Sequence, residues 1–243
     1  MPPPDRSGFY FDPSRHQWGT KRFLGREIAP GGAAEGVEAL DLLAKSAATA
    51  RHIAGKLAQH FIADATPPAL VEQLAARFQE SGGDITAVLQ TLFTSREFRG
   101  SIAAKYKSPY RYVLSAVRAA GVPVTNPRPL LGTMARLGQP LYHCATPDGY
   151  RDSEEAWLSP DATVMRVNFA TALASGHLPL QAAPEALGPV IEASASGAEP
   201  VDATPLDSLL GPAIGQRTRA AVAAAPAELR AALILGSPDF MRR

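Results

Sequence analysis

Twice in this chain a serine is followed by a proline and then by apolar residues at helical spacing. Ser108-Pro109 leads into Tyr110, Val113, Leu114 and Val117, and Ser159-Pro160 leads into Met165, Phe169, Ala172 and Leu173. Serine at the cap position offers a side-chain acceptor to the first free N–H groups of a helix. Proline in the first turn loses nothing, because its missing N–H would have no partner there. Each run then meets a glycine, Gly121 and Gly176, the residue that enters the left-handed conformation of a helix end without strain. This punctuation confines the chain to short, sharply bounded helices.

The same reading extends along the sequence. Thr66-Pro67-Pro68 opens a helix carrying Leu70, Val71, Leu74 and Phe78, Asp84 opens one carrying Ile85, Val88, Leu89, Leu92 and Phe93, and a helix near 129–137 stops at Gly138. The longest stripe runs from 47 to 63 through Ala50, Ile53, Ala54, Leu57, Ala58, Phe61 and Ile62, with Arg51, His52, Lys56, Gln59 and His60 outside it. Val37, Leu40, Leu43 and Ala44 form a shorter stripe just before, so the pair reads as a helical hairpin. The 44 alanines among 243 residues favour the same conclusion. Two stretches escape the pattern. Residues 1–32 mix Phe9, Tyr10, Phe11, Trp18 and Phe23 with glycine and proline, which predicts irregular chain or a two-stranded ribbon. Gly138 to Leu158 interleaves Pro140, Pro147 and Gly149 with Tyr142, His143, Tyr150 and Trp157, a long ordered loop of the kind that is packed or functional. The fold expected is all-α, a multi-helix bundle of short helices with that irregular or β-ribbon segment at 1–32. The main helical domain spans 33–180, a linker 181–204, and a small helical C-terminal subdomain 205–243.

Charge and cysteine content narrow the function. With 24 Lys+Arg against 23 Asp+Glu the chain carries no basic footprint for nucleic acid, and no apolar run is long enough for a membrane span. The single Cys144 excludes a disulfide framework and a multi-cysteine zinc site. His52, Lys56 and His60 share a helix face, but two turns separate the histidines by about 12 Å, too far to ligate one ion on a straight helix. No metal site is read from the sequence, and no cofactor is named by it. Phosphate-binding loops, nucleophile elbows and dinucleotide fingerprints are missing.

Two groups of polar residues remain. The loop and the helix after it gather Gln139, His143, Cys144, Asp148, Asp152 and Trp157 with Arg166 and Asn168. Two readings stand side by side: an arginine-held carboxylate site able to bind a polar ligand or to act as an acid–base pair, and a set of ion pairs with a tryptophan that anchors the loop to the helical core. The second group is His16 with Lys21 beside Trp18, either part of a polar site or a loop histidine in a structural hydrogen bond. One internal echo accompanies them. Ser95-Arg96-Glu97-Phe98 and Ser237-Pro238-Asp239-Phe240 each follow a helix, a device in which serine caps the next turn and phenylalanine fastens it.

The runs Ala39-Leu40-Asp41, Ala48-Thr49-Ala50, Lys56-Leu57, Asp64, Pro67-Pro68, Ser81-Gly82-Gly83-Asp84-Ile85, Lys105, Lys107-Ser108-Pro109, Leu137-Gly138-Gln139, Gly149-Tyr150, Asp152, Trp157-Leu158-Ser159, Arg166, Asn168-Phe169-Ala170 and Ser237-Pro238-Asp239-Phe240 resemble, in order, the bacterial domain-of-unknown-function family 1800. The resemblance covers nearly the whole chain and implies a mostly helical protein of unassigned role. It implies further that the chain corresponds to the C-terminal half of the usual length. The other half normally carries a Trp-His-Asn-His-Phe signature, and an acid usually follows the histidine that is His16 here, where this chain has Gln17. The expected function is a noncatalytic interaction or scaffold portion of a larger protein. The alternative is a fragment of a hydrolytic or metal-assisted enzyme whose site is completed by the missing N-terminal half. Partners implied by the resemblance are that half or a sulfatase-like protein of domain-of-unknown-function family 1501. Family members are often exported, whereas the chain as given carries no signal-peptide core in Met1 to Gly8 and would stay in the cytoplasm.

Overall fold

The computed structural model describes residues 9–181 and 199–243, so most of the expected linker lies outside the described residues. The described residues form twelve helices and one two-stranded antiparallel ribbon, a mostly helical protein with a small N-terminal β element. The ribbon pairs β1 (Lys21–Phe23) with β2 (Arg26–Ile28), Phe23 opposite Arg26. Its two-residue turn, Leu24-Gly25, has positive φ at both positions, 50° and 79°, the backbone sense that matches the natural twist of a hairpin.

The chain divides into two compact units, Met1–Phe61 with Thr66–Arg96, and Ile62–Ala65 with Glu97–Arg243. In the first, the ribbon precedes α1 (Ala33–Ala44), α2 (Ala47–Phe61), α3 (Pro68–Glu80) and α4 (Ile85–Thr94). Ser46 caps α2 by accepting from the Thr49 N–H at 3.1 Å, and Asp84 caps α4 by accepting from Thr86 and Ala87. The buried face of α2 is made of Ala50, Ala54 and Ala58, side chains small enough to let α3 lie close. Leu70, Leu74 and Phe78 of α3 are buried with them, as are Val88 and Leu92 of α4. The stripe on α1 behaves differently: Val37, Leu40 and Leu43 are exposed, and Glu35 is the one buried residue of that helix.

After α5 (Arg96–Arg99), whose first residue closes the first unit, the second unit continues through α6 (Pro109–Ala120), α7 (Arg128–Arg136), the one-turn α8 (Glu154–Trp157) and α9 (Pro160–Ala174). Ser108 and Ser159 cap α6 and α9 by accepting from Arg111 and Ala162, and Gly121 ends α6 at φ 66°. After residue 199 come α10 (Ala203–Leu210), α11 (Gln216–Ala224) and α12 (Ala227–Leu235). Leu206, Ile214, Ala231, Ile234 and Leu235 enter the same core as Tyr112, Val113, Ala116, Phe169 and Leu173. The last residues lie antiparallel to the segment before α6. Lys105 N–H donates to the Arg243 carbonyl at 3.1 Å, Arg243 N–H donates back at 2.8 Å, and Lys107 N–H donates to Met241 at 2.7 Å. In the Ser-x-acid-Phe echo both serines donate to the carbonyl three residues back, Ser237 to Ile234 and Ser95 to Leu92, and Ser237 Oγ also accepts from the Phe240 N–H.

Candidate functional site

In the first unit, His16 follows a 3-10 turn at Pro13–Arg15, and its ring is held edge-on between Phe11 and Trp18, at centroid distances of 5.1 and 4.9 Å. The acid that Gln17 fails to supply comes from α1: His16 Nε2 lies 3.0 Å from Glu35 Oε1. The same oxygen accepts from the Gly31 and Gly32 N–H groups at 2.8 and 3.0 Å, and Lys21 Nζ stands 2.5 Å from Glu35 Oε2. The Gly31 N–H and then the Lys21 ammonium hold the Glu35 carboxyl down to about 2 against the opposing effect of burial, with His16 and Gly32 assisting. Gly32, at φ 64°, has a backbone conformation that L side chains rarely adopt, and a Cβ there would stand 3.3 Å from the Phe11 ring, which would have to shift slightly. Beside this knot lies an open concavity of about 470 Å³ walled by Phe9, Phe11, Phe23 and Ile28, with His16, Lys21 and Glu35 at its edge. Lys21 Nζ also donates to the Gln17 carbonyl at 2.7 Å, so its donors are largely committed.

The loop group of the second unit does not gather around one point. Gln139 is used as a cap, its Oε1 accepting from the Tyr110 N–H at 2.8 Å. His143, Asp148 and Asn168 are exposed, and Cys144 is half-buried with its Sγ 3.9 Å from Thr146 Oγ1. Trp157 is buried and donates from Nε1 to the Arg151 carbonyl at 2.9 Å, while Tyr150 donates to Pro140 at 2.7 Å. These bonds fasten the loop at both ends. On the other helix face singled out in the sequence, His52 and Lys56 are exposed and His60 packs edge-on against Phe61.

Asp152 is drawn instead into a charge cluster centred on Lys105. Lys105 is 2% exposed, and its ammonium donates to Asp64 Oδ1 at 2.5 Å and to the Asp152 carbonyl at 2.7 Å, with Asp152 Oδ2 at 3.6 Å. Asp64 Oδ2 accepts from the Glu154 N–H at 2.6 Å, which anchors the first turn of α8. Arg242 pairs with Glu154 at 2.5 Å and Arg243 with Asp152 at 3.5 Å. Burial raises the Asp64 carboxyl, but the Glu154 N–H and Lys105 outweigh it and hold the group below its ordinary value. Arg166 stays outside this cluster. It is fully buried, its Nη2 donates to the Lys107 carbonyl at 2.8 Å, and its guanidinium lies 4.5 and 4.8 Å from the Tyr106 and Tyr112 ring centres.

Three residues central to these arrangements stand outside the polar groups read from the sequence: Glu35, Asp64 and Lys105. For Glu35 the signal is Gly31-Gly32 three to four residues ahead of an acid, half of a capping box. Asp64 and Lys105 both stand among the residues that carry the family resemblance, as does Asp152.

Fold and sites together define a class: a helical protein with an N-terminal ribbon, in which the clusters around Glu35 and Lys105 tie the segments before α1 and α8 and the last residues to the helices. Residues 3–242 match the family model described as Protein of unknown function (DUF1800), and the chain belongs to that family. No curated protein and no solved structure matches it.

Proposed function

We propose that the chain is a noncatalytic interaction module that docks a partner protein through the exposed face of α1. The observation that carries this reading is the mismatch between composition and burial on that helix. Val37, Leu40 and Leu43 are 62%, 66% and 42% exposed, while the 12-residue helix buries only Glu35. Single exposed apolar residues are ordinary, but three at successive turns of one helix form a stripe of the kind that enters a groove or packs on a second helix. A helix this short gains little stability from propensity in water and is normally held by its packed face. The partner implied by the family resemblance is a helical N-terminal half bearing the Trp-His-Asn-His-Phe signature. A sulfatase-like family-1501 protein is the next candidate.

The test is titration of the purified chain with each candidate by calorimetry. Leu40→Glu is expected to weaken binding at least tenfold, about 1.4 kcal/mol, with an unchanged circular dichroism spectrum. Equal affinity of the variant and the parent chain overturns the docking reading.

A second reading, a hydrolytic or metal-assisted enzyme, is favoured by one observation: His16 Nε2 held at 3.0 Å by a carboxylate beside an aromatic-walled concavity. Such a carboxylate fixes the tautomer and orientation of an imidazole. Hydrolysis of carboxylic or phosphate esters, with or without divalent metal, that disappears in His16→Ala supports it. Turnover that survives the substitution refutes it.

A further inference from the structure

The charge cluster of the second unit is unbalanced in a particular place. Asp64, Asp152 and Glu154 answer Lys105, Arg242 and Arg243. Lys107 and Arg166 are left, and among the described residues neither has a carboxylate partner. Both are buried. Removing an ion from water costs several kcal/mol unless a counter-charge or a full set of hydrogen bonds replaces the hydration shell.

The groups around these two cations supply only part of that replacement. Arg166 Nη2 has the Lys107 carbonyl, but Nε and Nη1 are buried without a hydrogen-bond partner. The ring faces of Tyr106 and Tyr112 offer cation–π attraction to Arg166, and the Phe240 ring lies 3.8 Å from Lys107 Nζ. The tyrosine hydroxyls bring no negative charge. The Tyr112 hydroxyl donates to the Arg166 and Leu235 carbonyls at 2.9 and 3.1 Å, and the Tyr106 hydroxyl donates to Met241 Sδ at 3.5 Å. Burial raises both phenols above their usual range, so they stay neutral. Burial, followed by the Arg166 charge, pushes the Lys107 amine down to about 8, which leaves it mostly protonated at neutral pH.

We infer that Arg166 and Lys107 frame a buried site for a small monovalent anion, filled by chloride under physiological conditions. Two unpartnered N–H groups of the Arg166 guanidinium match the needs of a single spherical anion. The Lys107 ammonium, stacked on the Phe240 ring and repelled by the Arg166 charge, adds a second positive charge that such an ion would offset. The enclosure argues for a monoatomic ion over an oxyanion. Arg166 and Tyr112 are fully buried, and Tyr106, Phe240 and Met241 are nearly so. A phosphate would bring a second charge and more acceptor oxygens than these donors can meet.

The test uses the full chain at fixed pH and ionic strength, with sodium gluconate exchanged for sodium chloride. A chloride concentration about tenfold above its dissociation constant is expected to raise Tm by roughly 3–6 °C, and Arg166→Met is expected to melt at one temperature in both salts. Equal melting of the parent chain in gluconate and chloride, or a chloride response that persists in Arg166→Met, overturns the inference. Where that variant fails to fold, crystals of the parent chain grown in bromide decide the matter. An anomalous peak within about 3.5 Å of Arg166 Nε or Nη1 supports the site, and density there without anomalous signal, which is water, overturns it.

Discussion

Replacing Asp64 by alanine should destabilise the second unit by about 3 kcal/mol, more than replacing its partner Lys105 by methionine. The asymmetry follows from exposure. Loss of Asp64 strands an ammonium that is 2% exposed, leaving it the Asp152 carbonyl at 2.7 Å and a carboxylate oxygen at 3.6 Å. It also takes the acceptor from the Glu154 N–H. Breaking a buried pair from one side costs about 3–5 kcal/mol, and the remaining Asp152 contacts put this case at the lower end. Loss of Lys105 strands a carboxylate that is 33% exposed and keeps its bond from Glu154, so water recovers much of the loss and about 1–2 kcal/mol is expected. The double variant should cost less than the two added together, by about 1–2 kcal/mol. Urea unfolding of a Trp18→Phe background leaves Trp157 as the one tryptophan and reports on the second unit. Because the folded Asp64 carboxyl titrates below its ordinary value of 3.8, its contribution is complete above that pH and is lost as pH falls through the folded value. Strict additivity, or a Lys105→Met cost that exceeds the Asp64→Ala cost, refutes the reasoning.

Glu35→Gln should loosen the N-terminal arm, with faster amide exchange at Gly31 and Gly32. The Glu35 contribution of the parent chain should persist above about 4.5 and fade as pH falls toward about 2, since its folded carboxyl is depressed to that value; exchange that is unchanged at neutral pH counts against the knot. Tyr112→Phe removes the donor shared by the Arg166 and Leu235 carbonyls and should cost about 1–3 kcal/mol in urea. Leu74→Ala, at a fully buried position of α3, should cost about 2–5 kcal/mol, and a value under 1 kcal/mol would place that helix outside a packed core.

The parts of the fold that were legible in the sequence are those set by neighbours along the chain. Ser108, Asp84 and Ser159 cap the helices they precede because a cap is a contact over two or three residues. Of the two conformations expected for 1–32, the Leu24-Gly25 turn gives the ribbon to Lys21–Phe23 and Arg26–Ile28, while residues 9–20 are irregular apart from the 3-10 turn at Pro13–Arg15 and residues 1–8 lie outside the described residues. The charge cluster was not legible as a site, because its members are far apart: Lys105 and Asp64 are 41 residues apart, Arg242 and Glu154 are 88 apart. Proximity in sequence was a poor guide within the loop for the complementary reason. Asp152 and Arg166 lie in one stretch, yet Asp152 meets Lys105 and Arg243, and Arg166 turns into an aromatic cage. The α1 stripe was visible as an apolar pattern, but a pattern says which face avoids water and not what covers it.

Glu35 links the two functional readings, because it belongs to both structures on which they rest. It is the third residue of α1, whose Val37, Leu40 and Leu43 are exposed, and it holds His16 through the same oxygen that receives Gly31 and Gly32. Binding loss alone after Glu35→Gln would therefore not tell docking from catalysis, since a loosened helix start and a misoriented imidazole arise together. Leu40→Glu separates them. It adds a charge in the middle of the exposed stripe and leaves every atom of the knot unchanged. Under the docking reading, partner affinity falls at least tenfold while the His16 ring resonances in an NMR spectrum stay where they were. If the concavity beside His16 is the working surface, Leu40→Glu leaves function intact and His16→Ala abolishes it. A Leu40→Glu chain that binds as the parent does, with His16 resonances unmoved, removes α1 as the docking face.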